Sequence, residues 1–163
     1  MISIIAAIGK NYELGKDNHL IWHFKEDLQH FKNKTMGKYI VMGANTYASL
    51  PKRLEGRKYI VLSKKLKKIE NGIVFHDLKK LLDFIYSKNE EIMIIGGASI
   101  YSLFIPYADK LYLTLIDESL EADVYFPEFD KTKYSYQVIK EDIDNNIKYK
   151  FVIYERSDKF EKW

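Results

Sequence analysis

The chain contains no cysteine. That excludes disulfides, thiolate metal ligands and cysteine nucleophiles together, and it permits a cytoplasmic location. Proline is scarce, at three residues, and no Gly/Ser-rich stretch interrupts the sequence. No linker divides the 163 residues, so a single domain over 1–163 is expected. No apolar run reaches the roughly 18 residues that a membrane-spanning helix needs. The first apolar segment, Ile2–Ile8, is short and has no basic flank, and it reads as a strand rather than a secretory leader. A strong excess of one charge is also missing. Lysine and arginine number 26 and the acids 23, a net charge of +3. The run Lys64-Lys65-Leu66-Lys67-Lys68 has no aromatic residues within it. It reads as a solvated loop, which argues against a nucleic-acid-binding module.

What remains is a globular composition, 47% hydrophobic and 30% charged, long enough to bury a core. Short apolar runs alternate with helical patterns. Strands are expected at Ile2–Ile8, Tyr39–Met42, Tyr59–Leu62, Ile73–Phe75, Ile92–Ile95 and Lys110–Ile116. Ser135–Glu141 and Tyr149–Glu155 should form a pair around Asp144-Asn145-Asn146. Helices are expected at Lys25–Lys34, Asn45–Leu50, Leu78–Ser87 and Ser99–Ile105, the last closed by Pro106. Ile92-Met93-Ile94-Ile95 is apolar at every position, the pattern of a strand covered on both faces. The expected fold is an α/β single domain of three layers: a mixed, mostly parallel eight-stranded sheet, flanking helices and an antiparallel C-terminal strand pair.

Three features carry chemistry. In Phe24-Lys25-Glu26-Asp27-Leu28-Gln29-His30-Phe31, the apolar residues Phe24, Leu28 and Phe31 form one helical stripe. Asp27 lies on its edge, roughly 40° from Phe31, while Glu26 points away. A half-buried carboxylate needs a partner or shifts its pKa, and a ligand with N–H donors is such a partner. Taken alone, an acid in a first turn also serves the helix dipole. The second feature is a pair of strand–glycine–helix turns, Met42-Gly43-Ala44-Asn45-Thr46 and Ile95-Gly96-Gly97-Ala98-Ser99. Glycine admits a ligand close to the backbone, and two such turns suit a diphosphate. The third is Leu62-Ser63-Lys64-Lys65, a hydroxyl and two ammonium groups at a strand end, fit for a further phosphate. Other chemistries lack their residues. His19 and His23 fall in an expected loop, and no HExxH, GxSxG, Walker or GxGxxG sequence is present, so no metal is expected. A dinucleotide, a flat apolar pocket and one buried acid fit reduction of a heterocycle.

Taken in order, these residues resemble dihydrofolate reductase of the bacterial chromosomal type. The similarity runs from Met1 to about residue 157. It is carried by Ile5-Ala6-Ala7, Leu14-Gly15, Trp22 with Asp27-Leu28 and Phe31, Met42-Gly43 with Thr46, and Leu54-Glu55-Gly56-Arg57. Ile95-Gly96-Gly97 with Tyr101, Leu111-Tyr112-Leu113-Thr114, Ile116-Asp117, and Asp123 with Phe126-Pro127 complete it. The resemblance implies NADPH-dependent reduction of dihydrofolate by a cytoplasmic monomer that antifolates inhibit. It makes Asp27 the pterin-binding acid, supported by Thr114, with Trp22 and Leu20 over the site. Ile5, Ala6, Leu28, Phe31, Leu50, Leu54 and Ile95 would line the substrate pocket, and Arg57 would hold the folate α-carboxylate. Ala7, Ile95 and a cis Gly96–Gly97 peptide would flank the nicotinamide. Leu14, Gly15, Asn18, Gly43, Asn45, Thr46, Ala98, Ser99, Ile100 and Tyr101 would hold the rest of the cofactor. Leu62, Ser63, Lys64, Lys65 and His76 would meet its 2′-phosphate end.

The chain also departs from the family pattern. Ala44 and Ser99 stand where basic residues often serve the 2′-phosphate. Ile21 and Lys25 replace prolines around Trp22, and Ala122 replaces a loop glycine. The nearest rival, a pyrimidine reductase of riboflavin synthesis on the same fold, should lack Asp27 and Phe31 paired with Arg57.

Overall fold

A computed structural model describes residues 1–16, 19–20, 25–50 and 54–157; at Lys16, His19 and Leu20 only the strand path is described. The strands are β1 (Ile2–Ile8), β2 (Glu13–Lys16), β3 (His19–Leu20), β4 (Tyr39–Gly43), β5 (Lys58–Leu62), β6 (Gly72–Phe75) and β7 (Ile92–Gly96). They continue with β8 (Lys110–Ile116), β9 (Val124–Tyr125), β10 (Tyr134–Asp144) and β11 (Ile147–Arg156). The helices are α1 (Lys25–Thr35), α2 (Ala44–Ser49), α3 (Leu78–Ser87) and α4 (Ala98–Phe104).

Eight strands form one sheet in the order β10-β11-β8-β1-β7-β4-β5-β6. From β8 to β6 every pair is parallel, whereas β11 runs antiparallel to both β8 and β10. The expected mixed sheet and C-terminal pair are therefore present. Alternation along the strands sends side chains to two faces. Ile2, Ile4, Val41, Ile60, Ile94, Leu111 and Leu113 pack with Leu81 and Ile85 of α3 and Ile100 and Phe104 of α4. Ile5, Ile40, Met42, Val61, Met93 and Tyr112 face the other way, against Phe31 of α1 and Tyr47 and Leu50. Ile92, Met93 and Ile94 are wholly buried, as a strand between two helical layers requires.

A second sheet, β3-β2-β9, was not expected from the sequence. Leu14-Gly15 and His19 fall in strands rather than a loop. These strands are too short for a periodic pattern, and β2 is fixed by one local and one distant pairing, Gly15 opposite Leu20 and Val124. Two helices begin one residue earlier than expected, at Ala44 and Ala98. α4 ends at Phe104, ahead of Pro106 as expected, and Pro106 itself sits in a 3₁₀ turn, Ile105–Tyr107, that follows it. There the missing N–H of proline has no partner to lose.

Candidate active site

Asp27 is held by a residue 87 positions away. Its Oδ1 accepts a hydrogen bond from the Thr114 hydroxyl at 2.6 Å. Thr114 is buried on β8, opposite Ala7 of β1 and Phe151 of β11. Burial raises the Asp27 carboxyl above the usual aspartate range, and the Thr114 bond only partly opposes this. Along α1, the line toward the sheet runs through Asp27, Phe31 and Thr35. The acid is thus on the inner line of the helix rather than at the margin of a Phe24–Leu28–Phe31 stripe. Leu28 is 59% exposed, because Asp27 and Thr35 occupy the inward positions that the stripe would have used. Phe24 lies outside the described residues.

The other end of α1 carries a cation. Arg57 donates from Nε to the Thr35 hydroxyl at 3.1 Å and from Nη1 to the Glu55 carbonyl at 2.7 Å. Thr35 in turn donates to the Phe31 carbonyl at 2.8 Å. Asp27 and the Arg57 anchor are therefore separated by two helical turns, about 12 Å along the axis. Between them Phe31, Leu50 and Leu54 pack on one apolar cluster, and the Leu54 N–H is held by the Tyr59 hydroxyl. An acid, an apolar wall and a fixed guanidinium thus follow one another along α1, the outline of a candidate cleft.

Beside this cleft three parallel strands end together. Met42 pairs with Gly96, and Gly43 with Leu62, so the turns after β4, β5 and β7 are neighbours. Ligands in open α/β sheets bind outside such carboxyl ends. The Gly96–Gly97 peptide is cis, and Gly96 adopts φ +124. A Cβ at Gly43 would meet Ile100 at 3.2 Å, and one at Gly97 would meet Thr46 at 3.5 Å. The two glycine turns thus face each other across α2 and α4. These helices have six and seven residues, so close backbone approach matters more here than a helix dipole. The buried Tyr101 hydroxyl lies 2.8 Å from the Ile5 carbonyl and 2.9 Å from that of Ile95, linking β1 to β7. At the third strand end, Ser63 Oγ accepts the N–H groups of Lys65 and Leu66, at 3.3 and 3.1 Å. His76 Nδ1 donates to the Ser63 carbonyl at 2.9 Å. Lys64 and Lys65 are exposed on this ordered turn.

A family model described as dihydrofolate reductase matches residues 1–156. The chain belongs to the dihydrofolate reductase family. It is 41% identical to the dihydrofolate reductase of Bacillus subtilis over 97% of this chain and 96% of that protein. It is 47% identical to that of Buchnera aphidicola from Acyrthosiphon pisum, over 78% of this chain and 80% of the relative. A type 3 dihydrofolate reductase of Salmonella typhimurium is 40% identical over 79% and 80%.

Family membership brings a nicotinamide cofactor, and the residues present suit one. Glycine turns and hydroxyls line the strand ends, with Asn45 and Thr46 opening α2 and Ala98, Ser99 and Ile100 opening α4. Ala44 and Ser99 supply no charge there, and the ammonium groups stand at Lys64 and Lys65. Among the described residues, no group of three His, Asp or Glu side chains is placed to hold a metal. Ala6 and Leu14 pack into the main core, Leu14 only 7% exposed. Asn18, Ile21 and Trp22 lie outside the described residues, and Leu20 contributes the path of β3.

Two residues near the site escaped the sequence reading. His30, one turn beyond Asp27, lies flat on Phe151, with ring centroids 4.3 Å apart and planes at 19°. Burial, helped by the nearby Lys34, lowers it to about 4. Glu13, on β2, is buried beneath the segments that flank the site. The signal for His30 was its spacing of three from Asp27. Nothing local marked Glu13.

Proposed function

We propose that the chain reduces 7,8-dihydrofolate to 5,6,7,8-tetrahydrofolate with NADPH, by hydride transfer to C6 and protonation at N5. The observation that carries this reading is the Asp27–Thr114 pair at one end of a cleft whose other end holds Arg57. NADPH, when bound, supplies the hydride. Ionised Asp27 accepts hydrogen bonds from the 2-amino group and adjacent ring nitrogen of the pterin. Thr114 holds one carboxylate oxygen, so the other keeps a fixed direction. Burial makes Asp27 a stronger base than a surface aspartate and so a better anchor for the pterin as N5 takes its proton from water. Phe31, Leu50 and Leu54 cover the p-aminobenzoyl ring. Arg57, already anchored through Nε and Nη1, meets the α-carboxylate as a fork. Ala7 and Ile95 bracket the reacting face. A single copy working in the cytoplasm, inhibited by antifolates, completes the proposal.

Purified protein should oxidise NADPH only when dihydrofolate is added, followed at the reduced-nicotinamide band. Asp27→Asn should lower kcat at neutral pH by two or more powers of ten, an effect of about 3 kcal/mol or more. Activity should partly recover in acid, where substrate arrives already protonated. A pH–rate profile that overlays the wild type would make Asp27 structural.

The same loop chemistry assigns the cofactor's 2′-phosphate to Ser63, Lys64 and Lys65, chiefly Lys64, with His76 ordering the turn. An exposed ammonium is a weaker clamp than an arginine fork. Preference for NADPH over NADH should therefore be modest and should shrink with salt. Lys64→Ala should raise the KM for NADPH about tenfold, the size of one screened charge-assisted contact, and leave that for NADH nearly unchanged. Equal weakening of both cofactors would place the phosphate elsewhere.

A further inference from the structure

Helix α1 buries little of itself. Among its described residues only Thr35 is fully buried, and Leu28 stands open. Apolar packing alone does not locate such a helix, and its first turn is held by polar ties on two sides. Asp27 is tied to Thr114 on β8. Glu26, about 100° round the axis, reaches instead to the β10–β11 hairpin. One Glu26 oxygen accepts the Lys140 ammonium at 2.8 Å and the other accepts the Tyr149 hydroxyl at 2.7 Å. Lys140 also lies 3.7 Å from Asp142. His30 rests on Phe151, the cross-strand partner of Thr114, and completes the seating.

One tie to Thr114 is a pivot. It fixes where the first turn touches the sheet but leaves α1 free to roll. A roll of about 20° carries an atom 5–6 Å from the helix axis through about 2 Å. Displacements of that size at a reacting group are costly. A second tie, directed to a different pair of strands, removes the roll. We propose that Glu26, gripped by Lys140 and Tyr149, is a positioning residue for Asp27, fixing the rotation of α1 and so the depth and direction of the catalytic carboxylate. The inference rests on Asp27 being the substrate-binding acid.

The titratable and charged groups around Asp27, among the described residues, come from several elements. Tyr101 on α4 faces Asp27 itself, Tyr149 on β11 with Lys140 and Asp142 on β10 faces Glu26, and Lys34 of α1 faces His30. Removing Glu26 changes both geometry and charge, so the two must be separated. Tyr149→Phe deletes one arm of the grip and no charge. Asp142→Asn deletes a charge from the same cluster and removes neither of the two groups that bond Glu26.

The experiment is the pH dependence of kcat/KM for dihydrofolate in Glu26→Ala, Tyr149→Phe, Asp142→Asn and Asp27→Asn, with thermal unfolding of each. Glu26→Ala and Tyr149→Phe should each lower kcat three- to tenfold and move the acid limb of the profile to lower pH. A loosened first turn lets water reach Asp27, which returns it toward its ordinary range. KM for NADPH should stay within twofold. Asp142→Asn should leave the limb in place. A Tyr149→Phe profile that overlays the wild type overturns the proposal. So does an Asp142→Asn shift as large as that of Tyr149→Phe, which would make the cluster a source of field rather than of position. If Glu26→Ala does not fold, Tyr149→Phe decides. If Asp27→Asn leaves the profile unchanged, the reading of Asp27 fails first. If it changes the profile and Tyr149→Phe does not, only the role of Glu26 fails.

Discussion

His30 and Asp27 lie one turn apart on α1, and burial acts on both by disfavouring charge. It raises the Asp27 carboxyl and lowers the His30 imidazole to about 4. His30 is therefore neutral at physiological pH and does not act as an acid beside the substrate. Its cost appears on acidification. The unfolded chain takes up a proton near the ordinary value of 6.5, while the folded protein resists until about 4. Stability should thus fall as pH drops through that window. His30→Phe, which keeps a ring on Phe151, should remove that part of the loss. Urea unfolding at pH 7 and pH 5 measures it, and an unchanged pH dependence would show that His30 is hydrated when folded. The helix pattern alone left Asp27 open between a dipole-serving acid and a half-buried one, because Leu28, counted into the apolar stripe, is exposed. His30 was not legible, because its burial comes from Phe151, which no local pattern places beneath α1.

The short strand β2 is held from inside by a carboxylate. Glu13 accepts the Asn11 N–H at 2.7 Å, and the Ser119 hydroxyl and Leu120 N–H each at 2.8 Å. The Asp123 N–H donates to the Gly15 carbonyl at 3.1 Å. These bonds join the segment before β3 to the segment after β8. Burial works to raise Glu13, but its own backbone N–H, Ser119, Leu120 and Asn11 together hold it below the usual range. A lowered carboxyl stabilises the fold above the ordinary value of 4.5, and that contribution is lost as pH falls through the folded value. Glu13→Gln places an amide NH₂ among donors and should cost about 2 kcal/mol at pH 7. The gap to wild type should close in acid, as thermal unfolding at pH 7 and pH 4 would record. A gap that persists in acid would mean that shape, not charge, matters at Glu13. The eight strands of the main sheet were readable because β-branched runs such as Ile92–Ile95 announce burial locally. β2, β3 and β9 were not, since two to four residues carry no period and β2 meets β9 across more than 100 positions.

The order of strands was beyond the sequence reading for a related reason. Nothing near Ile92 says that β7 returns to lie between β1 and β4, yet that insertion sets Gly96 beside Met42 and brings the two glycine turns together. The free edge at β10 bears on the proposed single copy. Val138, Ile139 and Ile143 are exposed there, but the register shifts between Val138 and Lys140, and Lys140, Glu141 and Asp142 follow. A bulge and a run of charged residues are features that keep an edge strand from adding another chain. The position of β1 at the centre of the sheet governs how the molecule comes into being. β1 leaves the ribosome before either of its neighbours, which are residues 92–96 and 110–116. Until then Ile2, Ile4, Ile5 and Ile8 have no sheet to enter, and a nascent chain in that state is a client for a chaperone. When β8 arrives, it closes the second edge of β1 and brings Thr114 to Asp27. The last parallel strand to be synthesised thus encloses β1 and joins Thr114 to Asp27 together, so a chain cut short before it has neither.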